Sequence, residues 1–286
     1  MTTEAGPTTG FLTADAPSGA VEYLVTGAGA PVTLLVHGLG GSAAQPRPFG
    51  SGLAGTKVLP HLRGHGATPV PAAGPGGYAD LAAETGAVRA ATGATRALGV
   101  SLGAGALLRA VVDAVAAGRP PGYERLVLVV PPVVVPLAVP GPGPDRGPLL
   151  ALADALEARD PAAAAAALRD QQPQAVRRLP AVGLWARRRA AELAGPVLPP
   201  VLRAYAAAGP LDGLDPARTV DLLGAVDVPV LVVGQDGDDV HPEAAARDLA
   251  AALPRADLVV LPPGGVLWTG RDRLREVVTG FLGPSE

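Results

Sequence analysis

Gly99-Val100-Ser101-Leu102-Gly103 sets one hydroxyl between two glycines, at the junction of an apolar run and a helical pattern. Thr95–Val100 reads as a strand and Leu102–Leu108 as the start of the helix that follows it. A serine on so tight a turn exposes its Oγ, and the turn needs small residues two before and two after it. The helix N-terminus favours negative charge beside that hydroxyl. These features describe a nucleophile, and a serine hydroxyl stays a weak one until a neighbouring base takes its proton. The chain has four histidines, His37, His61, His65 and His241, and none follows the last. His241 lies near the end of a carboxylate-rich stretch, Gln235-Asp236-Gly237-Asp238-Asp239-Val240-His241-Pro242, directly after the apolar run Val228–Gly234.

A second strand-like run leads into Val36-His37-Gly38-Leu39-Gly40-Gly41-Ser42. With the serine turn, this segment resembles the α/β-hydrolase fold superfamily. The resemblance implies that the backbone amides of Leu39 and Leu102 form an oxyanion hole, each donor stabilising the developing charge by ~3 kcal/mol. It also implies that His37 and Gly38 sit at the substrate pocket, with His37 ordering the loop. Leu62-Arg63-Gly64-His65-Gly66-Ala67-Thr68 is similar to the family's Asp-x-Arg-Gly-x-Gly-x-Ser segment. His61 stands at the aspartate position, so an ion pair from that position to Arg63 is not expected. In the family the acid of the triad follows a strand ending in glycine and precedes a proline by four residues. That pattern selects Asp238 over Asp236 and Asp239.

The likeness breaks at one residue. Pro262-Pro263-Gly264-Gly265 matches the loop before the family's catalytic histidine, but the histidine position holds Val266. Three readings follow. His241, on the loop of the acid, reaches Ser101 from another direction, with Asp238 or Asp239 orienting its other nitrogen. Alternatively the fold binds a ligand over Ser101 without turning it over, or it runs non-hydrolytic chemistry such as a cyclase or lyase reaction. In each, Val266 and Trp268 are pocket wall. The first reading makes the protein an esterase-type serine hydrolase of a small-molecule substrate that needs no metal and no organic cofactor. His61 and His65 share an H-x-x-x-H spacing, but in a loop, where a ligand pair on one helix face is not expected.

The elements that position these residues follow from periodicity. Val32–Val36, Lys57–Leu59, Ala94–Val100, Arg125–Val130, Val230–Val233 and Leu258–Leu261 are near-continuously apolar, as strands buried on both faces are. Helical patterns lie between them at Tyr78–Ala91, Leu102–Ala117, Ala244–Leu253 and Arg271–Leu282, which argues for βα units and a mostly parallel central sheet flanked by helices. Val21–Val25 is expected as an antiparallel edge strand. The alternation stops after Pro131: a Pro/Gly-rich stretch, Pro136–Pro148, precedes helical patterns at Leu149–Arg159, Ala162–Gln171, Val176–Leu193 and Leu198–Ala208. Asp160-Pro161 is a helix-start signal, Asp at the N-cap and Pro in the first turn. The expected organisation is therefore a core of residues 1–131 and 215–286 with a helical cap insertion at 132–214.

Composition narrows the class. The chain has 286 residues, 48% hydrophobic but only 3% aromatic, so its core is built from Ala, Val and Leu. The formal net charge of −3 supplies no phosphate-neutralising basic surface, and a nucleic-acid partner is not expected. The run Arg187–Arg189 reads as a solvated helix face. With no cysteine there are no disulfides and no thiolate nucleophile. Met1–Gly10 lacks the features of a secretory signal, and apolar stretches such as Leu126–Val135 are too short to cross a bilayer, so a cytoplasmic protein without membrane attachment is expected. The sequence leaves the oligomeric state open.

Overall fold

The computed structural model describes residues 10–134 and 145–283. Residues 1–9, 135–144 and 284–286 lie outside it, and with them nearly all of the N-terminal segment and most of the Pro136–Pro148 stretch considered above.

Eight strands form one sheet: β1 (Phe11–Ala16), β2 (Gly19–Thr26), β3 (Val32–Val36), β4 (Thr56–Pro60), β5 (Arg96–Val100), β6 (Arg125–Val129), β7 (Val230–Gln235) and β8 (Ala256–Leu261). Their order is β1-β2-β4-β3-β5-β6-β7-β8. All pairs from β4 to β8 are parallel; β1–β2 and β2–β4 are antiparallel. Alternate side chains of the central strands enter two separate cores. Leu34, Val36, Leu126, Leu128, Val230 and Val232 pack on one face, and Leu35, Leu98, Val127, Val129, Leu231 and Val233 on the other. That period of two, apolar in both phases, is why these strands read as unbroken apolar runs.

The helices are α1 (Tyr78–Thr92), α2 (Leu102–Ala116), α3 (Gly147–Glu157), α4 (Pro161–Asp170), α5 (Pro180–Glu192), α6 (Leu198–Ala207), α7 (Pro216–Gly224), α8 (Glu243–Ala252) and α9 (Arg271–Leu282). Leu81 and Val88 of α1, with Leu107 and Val111 of α2, cover the first face, while Leu274, Val278 and Leu282 of α9 cover the second. Helices α3 to α6 all fall between β6 and β7, where no strand occurs among the described residues.

Three expectations need correction. Val21–Val25 does lie in an antiparallel strand, but β1 pairs outside it through the turn at Pro17-Ser18, so β2 is not the edge. The helix expected from Val176 begins only at Pro180, because the residue before a proline is driven out of the α region, and Leu179 is extended (φ −65°, ψ 132°). Helix α7 is absent from the expected elements, although Asp215-Pro216 repeats the Asp160-Pro161 signal: each Asp side chain accepts backbone N–H groups of the first turn.

Candidate active site

Ser101 joins β5 to α2 with φ 49° and ψ −110°, a conformation that costs a non-glycine residue ~1–3 kcal/mol. The turn is locked on both sides. Its N–H donates to Val129 O (2.9 Å) and its carbonyl accepts from Gly105 N–H (3.0 Å). A Cβ on Gly99 would lie 2.5 Å from the Gly103 carbonyl carbon, and one on Gly103 would lie 2.6 Å from Val36 O. Only hydrogen fits at either position, which gives the glycine spacing its physical meaning.

The Ser101 hydroxyl meets His241: Oγ and Nε2 are 2.7 Å apart. The structure thus brings together two side chains 140 positions apart in sequence. Of the three aspartates before His241, Asp236 and Asp239 are exposed, whereas the Asp238 side chain is 7% exposed. Its Oδ1 accepts the N–H groups of Val240 (3.0 Å) and His241 (2.9 Å), and its Oδ2 accepts Gln235 Nε2–H (2.9 Å). Nδ1 of His241 lies 3.6 Å from Oδ1, within charge–charge reach but too long for a hydrogen bond. Burial alone would raise the Asp238 pKa; the imidazole, the His241 amide and Gln235 outweigh it and hold the carboxyl below its ordinary value.

Val266 lies on the turn after β8, buried in the second core, and its N–H donates to Gln235 Oε1 (2.9 Å). Gln235 therefore ties the loop after β7 to the loop after β8, with its amide orientation set by Val266 and its N–H directed to Asp238. Sequence reasoning passes over Gln235, because its partners are a backbone amide 31 positions away and a side chain that itself has to be chosen among three.

At the start of the loop after β3, the glycine donors around Leu39 are all taken. Gly38 N–H is taken by Gln45 Oε1 (2.6 Å), Gly40 N–H by His65 Nε2 (2.9 Å) and Gly41 N–H by Gly38 O (2.8 Å). Leu39 N–H has no acceptor among the described residues, and Leu102 N–H belongs to the first turn of α2, where helical amides have no internal partner. Leu39, Leu102 and Ser101 line one cavity.

His37 does not line that cavity, contrary to expectation. It is fully buried beneath the loop, Nδ1–H donating to Gly38 O (2.7 Å) and Nε2 accepting from Leu62 N–H (3.1 Å). The His65 ring lies 4.6 Å from it, with Nδ1–H on Arg63 O (2.9 Å). Both are neutral: burial pushes the His65 pKa down to about 4 and that of His37 well below its ordinary value. His61 turns away to Glu22 (2.6 Å), and Arg63 takes Glu84 of α1 as its partner at 2.8 Å.

The cavity holds about 200 Å³ and lies between the strand ends and helices α3 to α6. Gly38, Val266 and Trp268 line it, joined by Leu149, Leu168, Trp185 and Tyr205. Trp268 Nε1–H donates to Gln172 Oε1 (2.9 Å), and its ring meets that of Trp185 edge to face at 5.5 Å. Among the described residues no cluster of three metal-ligating side chains occurs and no helix is long and apolar enough to cross a membrane.

Residues 12–279 match the model of the alpha/beta hydrolase family. No curated protein matches the chain in sequence. Among solved structures, the esterase RhEst1 from Rhodococcus sp. ECU1013 is 21% identical with a TM-score of 0.68, over 96% of this chain and 99% of that one. The enol-lactonase from Burkholderia xenovorans LB400 is 21% identical with a TM-score of 0.70, over 96% and 100%. A thermophilic esterase from Thermogutta terrifontis is 20% identical with a TM-score of 0.70, over 96% and 98%. At these identities the likeness is one of fold.

Proposed function

We propose that this chain, which belongs to the alpha/beta hydrolase family, hydrolyses small carboxylic esters or lactones through an acyl-enzyme on Ser101, with His241 as its base. The observation that carries the reading is the 2.7 Å approach of Ser101 Oγ to His241 Nε2. Val266 stands where the family's histidine is expected, and the base comes instead from the neighbouring loop. Esterases and a lactonase among the structures of the same fold support the substrate class. Helices α3 to α6 act as a cap, with core 1–131 and 215–286 and cap 132–214.

The first step uses the Ser101–His241 contact already formed. His241 Nε2 takes the hydroxyl proton as Ser101 Oγ bonds to the substrate carbonyl carbon. The carbonyl oxygen becomes an oxyanion held by Leu39 and Leu102 N–H. Collapse breaks the ester C–O bond, the imidazolium returns the proton to the leaving alkoxide, and acyl-Ser101 remains. Water, deprotonated by His241, attacks the acyl carbon, and a second collapse releases the acid and regenerates the serine. Asp238 supports the imidazolium through its charge at 3.6 Å, without a direct hydrogen bond.

Fluorophosphonate labelling tests the nucleophile: Ser101 is modified in the wild-type protein and unmodified in Ser101→Ala. Turnover of p-nitrophenyl acetate tests the base: His241→Ala loses about 10⁴-fold or more in kcat. A His241→Ala variant that keeps wild-type turnover refutes the relocated base. Reversible ligand binding with no labelling of Ser101 points instead to a binding protein.

A further inference from the structure

Helix α5 carries Trp185 and Arg189, and Leu193 is its C-cap residue. Spacings of four put the three on one helix face. All three line the cavity that contains Ser101. Leu193 approaches to 3.8 Å the point where a Cβ on Gly40 would stand, so this stripe lies over the loop that offers Leu39 N–H. Arg189 is thereby separated from Arg187 and Arg188: those are exposed, while its side chain is only 18% exposed. The expectation of a solvated run holds for two of the three arginines and fails for the third.

The guanidinium of Arg189 is tethered but not used up. One Nη donates to Glu192 Oε2 (2.6 Å), a half-exposed carboxylate one turn on; Nε and the other Nη have no acceptor among the described residues. An exposed pair of this kind contributes ~0–1 kcal/mol, so a ligand anion competes with it readily. The charge acts through the loop beneath it and disfavours protonation of His37 and His65. The cavity lining carries two other formal charges, Arg146 and Asp238. Asp238 is already met by Gln235, two backbone amides and the imidazole. Among the described residues the space over Ser101 therefore presents net positive charge, answered at Arg189 only by the half-exposed Glu192.

We infer that Arg189 is a specificity-determining residue that binds a carboxylate on the substrate, so that preferred substrates are short esters or lactones bearing a free carboxylate. The guanidinium fork matches a carboxylate in geometry and charge. The cavity volume of about 200 Å³ falls below the ~300–1,000 Å³ of common ligand sites, which sets the short chain length. The inference deepens the proposed function and rests on it for the word substrate, but its test does not depend on turnover.

Monomethyl glutarate and dimethyl glutarate are titrated calorimetrically into the Ser101→Ala protein at low salt. The monoester, with one carboxylate, is expected to bind about 10- to 100-fold tighter than the neutral diester. Adding Arg189→Leu brings that ratio close to one, and Arg189→Lys, which keeps the charge but not the fork, retains part of it. Equal affinities in the parent protein, or an undiminished ratio in Arg189→Leu, overturn the inference. If the leucine variant does not fold, the lysine variant and Arg189→Gln decide: ratios unchanged in both overturn it. Loss of the nucleophile reading is seen separately, as absent fluorophosphonate labelling of the wild-type protein.

Discussion

Asp238→Asn separates two roles that one carboxylate plays here. The first is electrostatic. At 3.6 Å, an imidazolium and a carboxylate interact by roughly 4–5 kcal/mol at an effective dielectric of ~20 and about 1 kcal/mol in water. The His241 and Asp238 side chains are 20% and 7% exposed, so the value lies between those limits. In the proposed mechanism the imidazolium exists only while His241 holds the serine or water proton, so the loss falls on kcat, by about 10²-fold (range about 10 to 10³). An aspartate bonded directly to the histidine nitrogen is worth ~10⁴; the expected deficit is smaller because that bond is absent.

The second role is structural. An asparagine keeps Oδ1 for the Val240 and His241 amides but places an NH₂ against Gln235 Nε2, donor facing donor. Gln235 cannot turn over without stranding Val266 N–H, which its Oε1 accepts. One buried group goes unsatisfied either way, at about 1–3 kcal/mol, and the melting temperature falls by a few degrees for each kcal/mol. Adding Gln235→Glu supplies two acceptors, for residue 238 and for Val266 N–H, and removes the donor clash. The double variant is expected to recover most of the melting temperature and little of the activity, because the carboxylate is no longer beside the imidazole. Steady-state kcat on p-nitrophenyl acetate and thermal melts of the single and double variants measure both. A single-variant deficit as large as that of His241→Ala, or one under threefold, refutes this division.

Two further outcomes concern the folded state. His65 and His37 hold depressed pKa values, so their contribution to stability is complete above about pH 6.5 and is lost as pH falls towards the folded-state values, about 4 for His65; urea unfolding should show a slope of up to ~1.4 kcal/mol per pH unit for each histidine between those limits, and His65→Gln should remove one histidine's share. The depressed pKa of Asp238 acts in a different window, with stability lost only as pH falls below about 4. Glu84→Ala leaves the buried Arg63 guanidinium without its close partner and should cost about 3–5 kcal/mol in chemical denaturation; a loss under 1 kcal/mol would mean that Asp80, at 3.6 Å, suffices.

The strands β3 and β5 to β7 were legible because both phases of their side chains are apolar. β1 was not: in FLTADA only Ala14 is buried, and the strand exists by pairing with β2 rather than by any apolar periodicity of its own. The serine turn was legible because close packing forbids side chains at Gly99 and Gly103, and that prohibition is written locally. The position of His37 was not. A histidine next to the loop after β3 reads as pocket wall until Gly38 O and Leu62 N–H are seen to consume both ring nitrogens from below. Arg189 was hidden in a run of three arginines, where only its phase with Trp185 and Leu193 sets it apart. Gln235 carries no local signal at all.

The proposed displacement of the base obeys the geometry of a parallel sheet. β7 and β8 are neighbours in register, Gln235 opposite Leu261, so the loops that leave their C-terminal ends start one strand spacing apart, ~4.8 Å. Gln235 then bonds the two loops together through Asp238 and Val266. An imidazole transferred from one loop to the other changes its direction of approach by about that spacing, within the length of its own side chain. The nucleophile has no such freedom. Its strained φ, the helix N-terminus and the two glycines all belong to one turn, and no neighbouring loop reproduces them. On the proposed reading the direct Asp–His hydrogen bond is what the displacement gives up: with Asp238 and His241 three residues apart on one loop, Asp238 Oδ1 is occupied by the backbone amides of that loop, and the ring nitrogen stays 3.6 Å away.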